Sequence, residues 1–237
     1  MSDSIPTDPT AIAGMIDHAL LKPSMTAEEM DAGCAVAAEH GFASVCILPY
    51  AVRRAAELLH GTGVLASTVI GFPNGAHSTA TKVAEAREAL RDGAVELDVV
   101  VNRSAVRSGR WEYVSDELRS LIQPTHEAEA KVKVIFETCD LSDDEIRRLC
   151  EVCGEVGADW VKTSTGFGSA GATEHHVKLM REASPDAVQV KASGGVRDLA
   201  TLLRYRELGV TRIGTSNGAS IVGEARGATP AGVTSAY

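Results

Sequence analysis

The chain has 237 residues, 44% of them hydrophobic, which is enough to bury the core of one (β/α)₈ barrel or one doubly wound domain. Its formal net charge of −9 and its lack of any run of Lys or Arg exclude nucleic acid or an anionic membrane surface as a partner. The chain lacks both a secretory signal pattern and an apolar stretch of membrane-spanning length, so we expect a soluble, cytoplasmic protein. Five cysteines, an odd number, indicate reduced thiols rather than a disulfide framework.

Eight β-rich segments alternate along the chain with amphipathic helical patterns. The predicted strands cover residues 16–21, 43–48, 64–71, 94–101, 131–138, 158–164, 187–193 and 211–216. Between them lie helices such as the one that Ser142 caps, with Glu145 three residues later. The pattern predicts a single-domain TIM barrel over residues 1–237, with a flexible tail from about residue 226. An open doubly wound sheet is the alternative, but it usually has fewer strands, and no GxGxxG follows the first strand here.

Two lysines lie near the carboxyl ends of neighbouring predicted strands. Lys162 lies two residues before the end of the sixth strand, and Lys191 occupies the equivalent position on the seventh, where backbones run about 4.8 Å apart. Burial and repulsion between two ammonium groups would lower the pKa of one amine, which Schiff-base formation with an aldehyde requires. The alternative interpretation is that each lysine is a strand-end residue with its charge in solvent.

Two aspartates are candidates for proton transfer. Asp98 interrupts an otherwise apolar strand, and Asp17 begins the first strand. A carboxylate near Lys191 could keep that lysine charged and leave Lys162 as the neutral partner. A structural ion pair of Asp98 with Lys133 or Lys191 is the alternative.

Two glycine-bearing turns follow the seventh and eighth strands, where barrels of this kind hold phosphate. The first contains Gly194 and Gly195, and the second precedes a short helix. Free backbone N–H groups at a helix start bind a dianion without a basic patch. The phosphate-binding candidates in the second turn are Gly214, Thr215, Ser216 and Asn217.

Other motifs favour structural roles. Cys150 and Cys153 form a CxxC inside a predicted helix without a second ligand pair, which indicates helix packing. His175 and His176 open a helix and are expected at the surface. His18 lacks a partner at ligand spacing, so we expect it to make a structural hydrogen bond.

Eight ordered strings together resemble the deoxyribose-phosphate aldolase family over roughly residues 15–220. They are IDHALLKP at 16–23, VIGFP at 69–73, KVAEA at 82–86, ELDVV at 96–100, KVIFET at 133–138, VKTSTGF at 161–167, KASGGVR at 191–197 and IGTS at 213–216. Their order and spacing over so many βα units make the resemblance specific. Two positions depart from the family pattern: Ala19 stands where a threonine is frequent, and Leu48 where an asparagine is frequent.

The resemblance implies that Lys162 is the Schiff-base lysine and that Asp98 and Lys191 form the proton donor/acceptor pair. It implies cleavage of 2-deoxyribose 5-phosphate to acetaldehyde and glyceraldehyde 3-phosphate, with no metal and no organic cofactor. The substrate is expected near Thr165 and Gly166 as well as near the two glycine turns. Tyr237 is similar to the final tyrosine of some members, which assists proton transfer; simple disorder of this terminal residue is the other interpretation.

The sequence leaves three rival functions open. The first is a Schiff-base barrel aldolase with a different aldehyde substrate, which Ala19 keeps open. The second is a metal-dependent sugar-phosphate isomerase or hydrolase with His18, Asp98 and Glu137 as ligands. The third is a sugar-phosphate-binding protein without catalysis. Homo-oligomerisation is also left open.

Overall fold

A computed structural model describes residues 8–228. Eight parallel strands close into a barrel in chain order, with β8 pairing back onto β1. The strands are β1 (Ile16–Leu20), β2 (Ser44–Ile47), β3 (Leu65–Ile70), β4 (Glu96–Val100), β5 (Lys131–Ile135), β6 (Trp160–Lys162), β7 (Gln189–Ser193) and β8 (Val210–Thr215). The predicted (β/α)₈ barrel is therefore confirmed, and the pairing of β8 with β1 excludes the open sheet.

Ten α-helices lie in the described part of the chain. They are α1 (Pro9–Ala13), α2 (Ala27–His40), α3 (Val52–Leu59), α4 (Thr79–Arg91), α5 (Arg103–Arg107), α6 (Trp111–Glu127), α7 (Asp143–Val156), α8 (Glu174–Ala183), α9 (Leu199–Glu207) and α10 (Gly218–Ala225). Helix α7 begins as predicted: the Ser142 hydroxyl accepts from the backbone N–H of Glu145, whose carboxylate accepts from that of Ser142. It ends at Gly157, whose φ of 79° suits a residue without Cβ.

The apolar core lies between the strands and the surrounding helices. Leu97, Val99 and Val134 are fully buried there, as parallel strands covered by helices require. The barrel interior differs from this layer because it carries charged side chains from β1, β4, β5, β6, β7 and β8, which contact one another across the barrel. The strands thus present an apolar face to the helices and a charged face to the barrel axis.

Two expectations concern the end of the chain. The structure describes only residues 226–228 of the predicted tail, and Tyr237 lies outside the described residues.

Within residues 8–228, no helix combines the length and apolar character needed to cross a membrane.

Candidate active site

Strand register places three basic residues side by side on the inner wall of the barrel. Lys162 of β6 pairs with Lys191 of β7, and Lys191 pairs with Arg212 of β8. Side chains at matching positions of adjacent strands point to the same face of a sheet. The structure therefore confirms that Lys162 and Lys191 occupy equivalent positions.

Asp98 lies between the two lysines. Its Oδ2 atom accepts hydrogen bonds from Nζ of Lys162 and Nζ of Lys191, each at 2.7 Å. Its Oδ1 atom accepts from Nζ of Lys133 at 2.8 Å. Asp98 thus forms the structural ion pair with Lys133 that was the alternative expectation, and it also contacts both candidate catalytic lysines. Its role in proton transfer stays a prediction.

Three further groups complete the network of charges inside the barrel. Asp17 accepts from Nζ of Lys191 at 2.5 Å and from Arg212 at 2.6 Å. The guanidinium of Arg212 also donates to Glu96 at 3.0 and 3.1 Å. Lys133 lies 2.6 Å from Glu96 and 3.6 Å from Asp17. All of these carboxylates are at most 2% exposed, so their partners replace the lost hydration.

The four basic groups differ in the number of carboxylates that surround them. Among residues 8–228, Lys133 lies within 4.0 Å of three carboxylates, and Lys191 and Arg212 each lie that close to two. Lys162 contacts only one carboxylate of this part of the chain, that of Asp98. Three carboxylates therefore face four basic groups, and the cluster is neutral when one lysine has lost its proton. Lys162, the least compensated, is the group that loses it most easily.

The pKa directions follow these contacts. Burial lowers the pKa of Lys162, the charge of Lys191 lowers it further, and the Asp98 carboxylate opposes both. Burial also works against the charge of Lys191, but Asp17 and Asp98 outweigh it and raise the pKa of that lysine. Neighbouring lysines hold the pKa values of Asp17 and Asp98 well below the ordinary value against the opposing effect of burial. Desolvation, more than repulsion from Lys191, therefore favours the neutral amine of Lys162.

A cavity of about 360 Å³ opens above this network. Lys162, Lys191 and Asp17 lie at its base, together with the apolar side chains of Ala19, Leu21 and Cys46. Lys162 is only 3% exposed, yet it lines the cavity, so its amine is both desolvated and accessible to a small ligand. Asp98 does not line the cavity but accepts hydrogen bonds from the two lysines that do.

The glycine turns also line this cavity. All eight predicted substrate-binding and phosphate-binding residues line the cavity: Thr165, Gly166, Gly194, Gly195, Gly214, Thr215, Ser216 and Asn217. Gly194 and Gly195 have φ values of 82° and 83°, which L side chains rarely adopt. A Cβ on Gly214 would lie 2.4 Å from Oγ of Ser193 and 3.2 Å from Cε of Lys191, so this glycine leaves room for the lysine stem.

Helix α10 begins beside the same wall. Asn217 occupies its N-cap position, and its side chain makes no capping hydrogen bond. The backbone N–H groups of the first turn are therefore left without a side-chain acceptor at the positive end of the helix. Such a terminus suits an anionic group.

Sequence reasoning missed several residues of the site. Glu96 and Arg212 belong to the charged network, although neither was among the residues predicted from the sequence. Glu96 could have been found because it shares the inner face of β4 with Asp98 at a spacing of two. The loop after β6 was also underestimated: residues 165–171 line the cavity without a gap, and so does Arg197.

The three ligands of the metal-dependent rival do not come together. Asp98 is held by lysines, and Glu137 accepts hydrogen bonds from Thr165. His18 packs against Phe42, with ring centroids 5.4 Å apart. The expected structural hydrogen bond of His18 is wrong for Nδ1, which is buried without a partner among residues 8–228. Burial lowers the pKa of His18 to about 4, so the ring is neutral at pH 7.

Potential metal ligands gather at one other place in the described chain. Asp143, His175 and His176 have ligand atoms within 4.8 Å of one another. Nε2 of His175 donates to the Asp143 carboxylate at 2.9 Å. His175 is exposed, as expected, whereas His176 is half-buried. None of the three residues lines the cavity above Lys162.

Comparison with known proteins agrees with this geometry. The sequence profile described as DeoC/LacD family aldolase matches residues 11–221. The deoxyribose-phosphate aldolase of Rhodopirellula baltica is 55% identical over 215 residues, which cover 91% of this chain and 89% of the relative. That of Thermococcus gammatolerans is 48% identical, with 92% and 97% covered. The structure of deoxyribose phosphate aldolase from Aeropyrum pernix superposes with a TM-score of 0.87 at 31% identity, with 93% of each chain covered. The chain is therefore an aldolase, and hence a lyase, of the DeoC/LacD family.

Proposed function

We propose that this aldolase cleaves 2-deoxy-D-ribose 5-phosphate reversibly to acetaldehyde and D-glyceraldehyde 3-phosphate through a Schiff base on Lys162. The observation that carries the proposal is the environment of Lys162, a buried amine that lines the cavity, contacts one carboxylate among residues 8–228 and has a lowered pKa. An amine must be neutral to attack a carbonyl carbon. The names of the relatives support the choice of substrate.

Formation of the Schiff base begins when the neutral Lys162 amine attacks C1 of the open-chain sugar. Loss of water from the resulting carbinolamine leaves an iminium ion. The positive nitrogen then withdraws electrons from the bond between C2 and C3. Cleavage of that bond releases C3–C5 as glyceraldehyde 3-phosphate and leaves C1 and C2 on Lys162 as an enamine. Because C2 carries no hydroxyl group in this sugar, that two-carbon fragment yields acetaldehyde.

Proton transfer is assigned to Asp98 and Lys191, which share a hydrogen bond of 2.7 Å beside Lys162. In the cleavage step this pair accepts the C3 hydroxyl proton as glyceraldehyde 3-phosphate leaves. The same proton is then delivered to C2 of the enamine, and hydrolysis of the new iminium releases acetaldehyde and restores Lys162. Asp17, at 2.5 Å from Lys191, keeps that lysine charged between the two steps. Tyr237, which the resemblance implicates in proton transfer, lies outside the described residues.

The phosphate group is assigned to the wall of glycine turns. Gly194, Gly195 and the Gly214–Asn217 segment line the cavity at the start of α10, and Arg197 adds a basic side chain there. A chain with a net charge of −9 has to bind an anion through such a local arrangement. No metal or organic cofactor is needed for any of these steps.

Borohydride trapping tests the proposal. Reduction in the presence of acetaldehyde should leave an ethyl group on Lys162, located by peptide mapping, while Lys178, exposed on α8, serves as the internal control. A protein that binds sugar phosphates without catalysis would give no adduct. An adduct together with turnover of other aldehydes but not of deoxyribose 5-phosphate would identify the rival Schiff-base aldolase, which Ala19 at the cavity wall favours.

The cellular setting follows from the same proposal. Small sugar phosphates and acetaldehyde are the proposed partners, and we place the enzyme in the cytoplasm, with no nucleic acid or membrane partner, in keeping with its acidic charge. Homo-oligomerisation is a further expectation, since the Aeropyrum pernix relative is described as a tetramer. Light scattering after size-exclusion chromatography measures it.

A further inference from the structure

Glu137 is a buried acid that the proposed mechanism does not use. It lies two residues after the end of β5 and is 1% exposed. Its backbone is left-handed, with φ 57° and ψ 64°. Among residues 8–228, Glu129 is the only other non-glycine residue with a positive φ. A left-handed Glu is unfavourable, and such residues are retained where the surrounding structure requires them.

The carboxylate of Glu137 receives two donors from one residue of the neighbouring loop. Oε1 accepts from the backbone N–H of Thr165 at 3.3 Å, and Oε2 accepts from the Thr165 hydroxyl. That hydroxyl in turn accepts from the backbone N–H of Phe167 at 3.0 Å. Because the hydroxyl hydrogen goes to Glu137, the Thr165 oxygen is free to receive Phe167. One carboxylate therefore orders three consecutive residues.

Those residues begin the cavity wall formed by residues 165–171. Further along the loop, a Cβ on Gly168 would lie 2.8 Å from Cδ of Glu137, so the loop passes directly over the carboxylate. The far end of the loop is fixed independently, since the N–H of Ala172 donates to the carbonyl oxygens of Ser193 and Gly194 at 3.0 and 3.1 Å. Glu137 is thus the contact that holds the near end of the wall, three residues from Lys162.

We propose that Glu137 is a positioning residue that clamps this loop. From the left-handed turn after β5, its carboxylate holds Thr165 and through it Phe167, and so sets the wall of the cavity against which the substrate binds. The left-handed backbone is retained because it directs the carboxylate at the loop. The inference rests on the proposed function only for its kinetic consequences, because the clamp itself is a property of the free protein.

Hydrogen exchange tests the clamp without any substrate. In Glu137→Gln, one oxygen acceptor for Thr165 is replaced by an NH₂ donor, so amide exchange in peptides covering residues 165–171 should accelerate about tenfold. Peptides from β5 and β6 should keep their wild-type rates. Unchanged exchange in the loop would overturn the proposal, and so would equal acceleration throughout the barrel, which would indicate general destabilisation.

Kinetics of the same variants separate positioning from chemistry. Glu137→Gln should raise KM for deoxyribose 5-phosphate about tenfold, with kcat within about threefold of wild type, because Lys162 and its charge network are untouched. Thr165→Val, at a residue that also lines the cavity, should raise KM as well, whereas Thr165→Ser, which keeps the hydroxyl, should keep the wild-type KM. Since both changes break the same contact, the double variant Glu137→Gln/Thr165→Val should have a KM no higher than that of either single variant.

A glycine at position 137 separates the backbone from the side chain. Glu137→Gly relieves the unfavourable φ. If Glu137 were needed only to make the turn, this variant would therefore keep the wild-type KM and loop exchange rates. The clamp predicts instead the same rise in KM and in loop exchange as for Glu137→Gln. Wild-type KM in Glu137→Gly would refute it. If the wild-type chain does not cleave deoxyribose 5-phosphate, the proposed function fails, while the exchange experiment still decides on the clamp.

Discussion

Replacing Lys191 with methionine removes one positive charge beside Lys162 and keeps an unbranched side chain. Both amines lie 2.7 Å from the same Asp98 oxygen, so their nitrogens are at most about 5 Å apart. At an effective dielectric constant of about 20, this separation corresponds to roughly 3 kcal/mol of repulsion, or about two pKa units. The substitution also leaves Asp98 with one cation fewer, which acts in the same direction. The pKa of Lys162 should therefore rise, and its neutral fraction at pH 7 should fall.

The assay has to report imine formation rather than turnover, because Lys191 is also assigned to proton transfer. The rate of borohydride trapping of acetaldehyde on Lys162, measured against pH, should shift about two units to higher pH in Lys191→Met. Lys191→Arg, which keeps the charge, should leave the profile close to wild type, and Lys178→Met on the surface should leave it unchanged. A wild-type profile in Lys191→Met would show that the two lysines are not coupled and would refute the electrostatic reasoning.

Further predictions concern the network and the reaction. Lys162→Ala should lower turnover by roughly 10⁴-fold or more, because the Schiff base can no longer form. The melting temperature should not fall, since the change removes a poorly compensated buried amine. Activity equal to that of the wild type would rule out the Schiff base. Arg212→Met should lower the free energy of unfolding in urea by about 3–5 kcal/mol, because Asp17 and Glu96 lose their shared partner; an unchanged unfolding midpoint would contradict this. Full activity should persist in EDTA, whereas loss that zinc or magnesium restores would favour the metal-dependent rival. Because the folded-state pKa values of Asp17 and Asp98 are lowered, their stabilisation is present above about pH 4 and is lost as the pH falls further, so acid unfolding should show proton uptake in that range.

The site could be predicted in part because barrel geometry follows simple rules. Strand-end positions on adjacent strands face the same cavity, which is why Lys162 and Lys191 could be paired from spacing alone. The same rule placed the two glycine turns at one wall. Contacts across the barrel do not follow from spacing within one strand. Asp98 on β4 reaches Lys162 on β6, and Arg212 on β8 reaches Glu96 on β4, through the closure of the sheet.

By itself, the sequence determined the eight βα units, the caps of helices such as α7, the pair of strand-end lysines and the glycine turns, because each depends on local periodicity or on neighbouring strands. Only the tertiary structure decided which lysine is poorly compensated, since that depends on how many carboxylates distant strands bring to each amine. It also decided that Glu137 faces the loop after β6 rather than a metal, because a left-handed backbone directs its side chain there. Local patterns fix the elements, but charges act through space, and their effect on Lys162 requires the closed barrel.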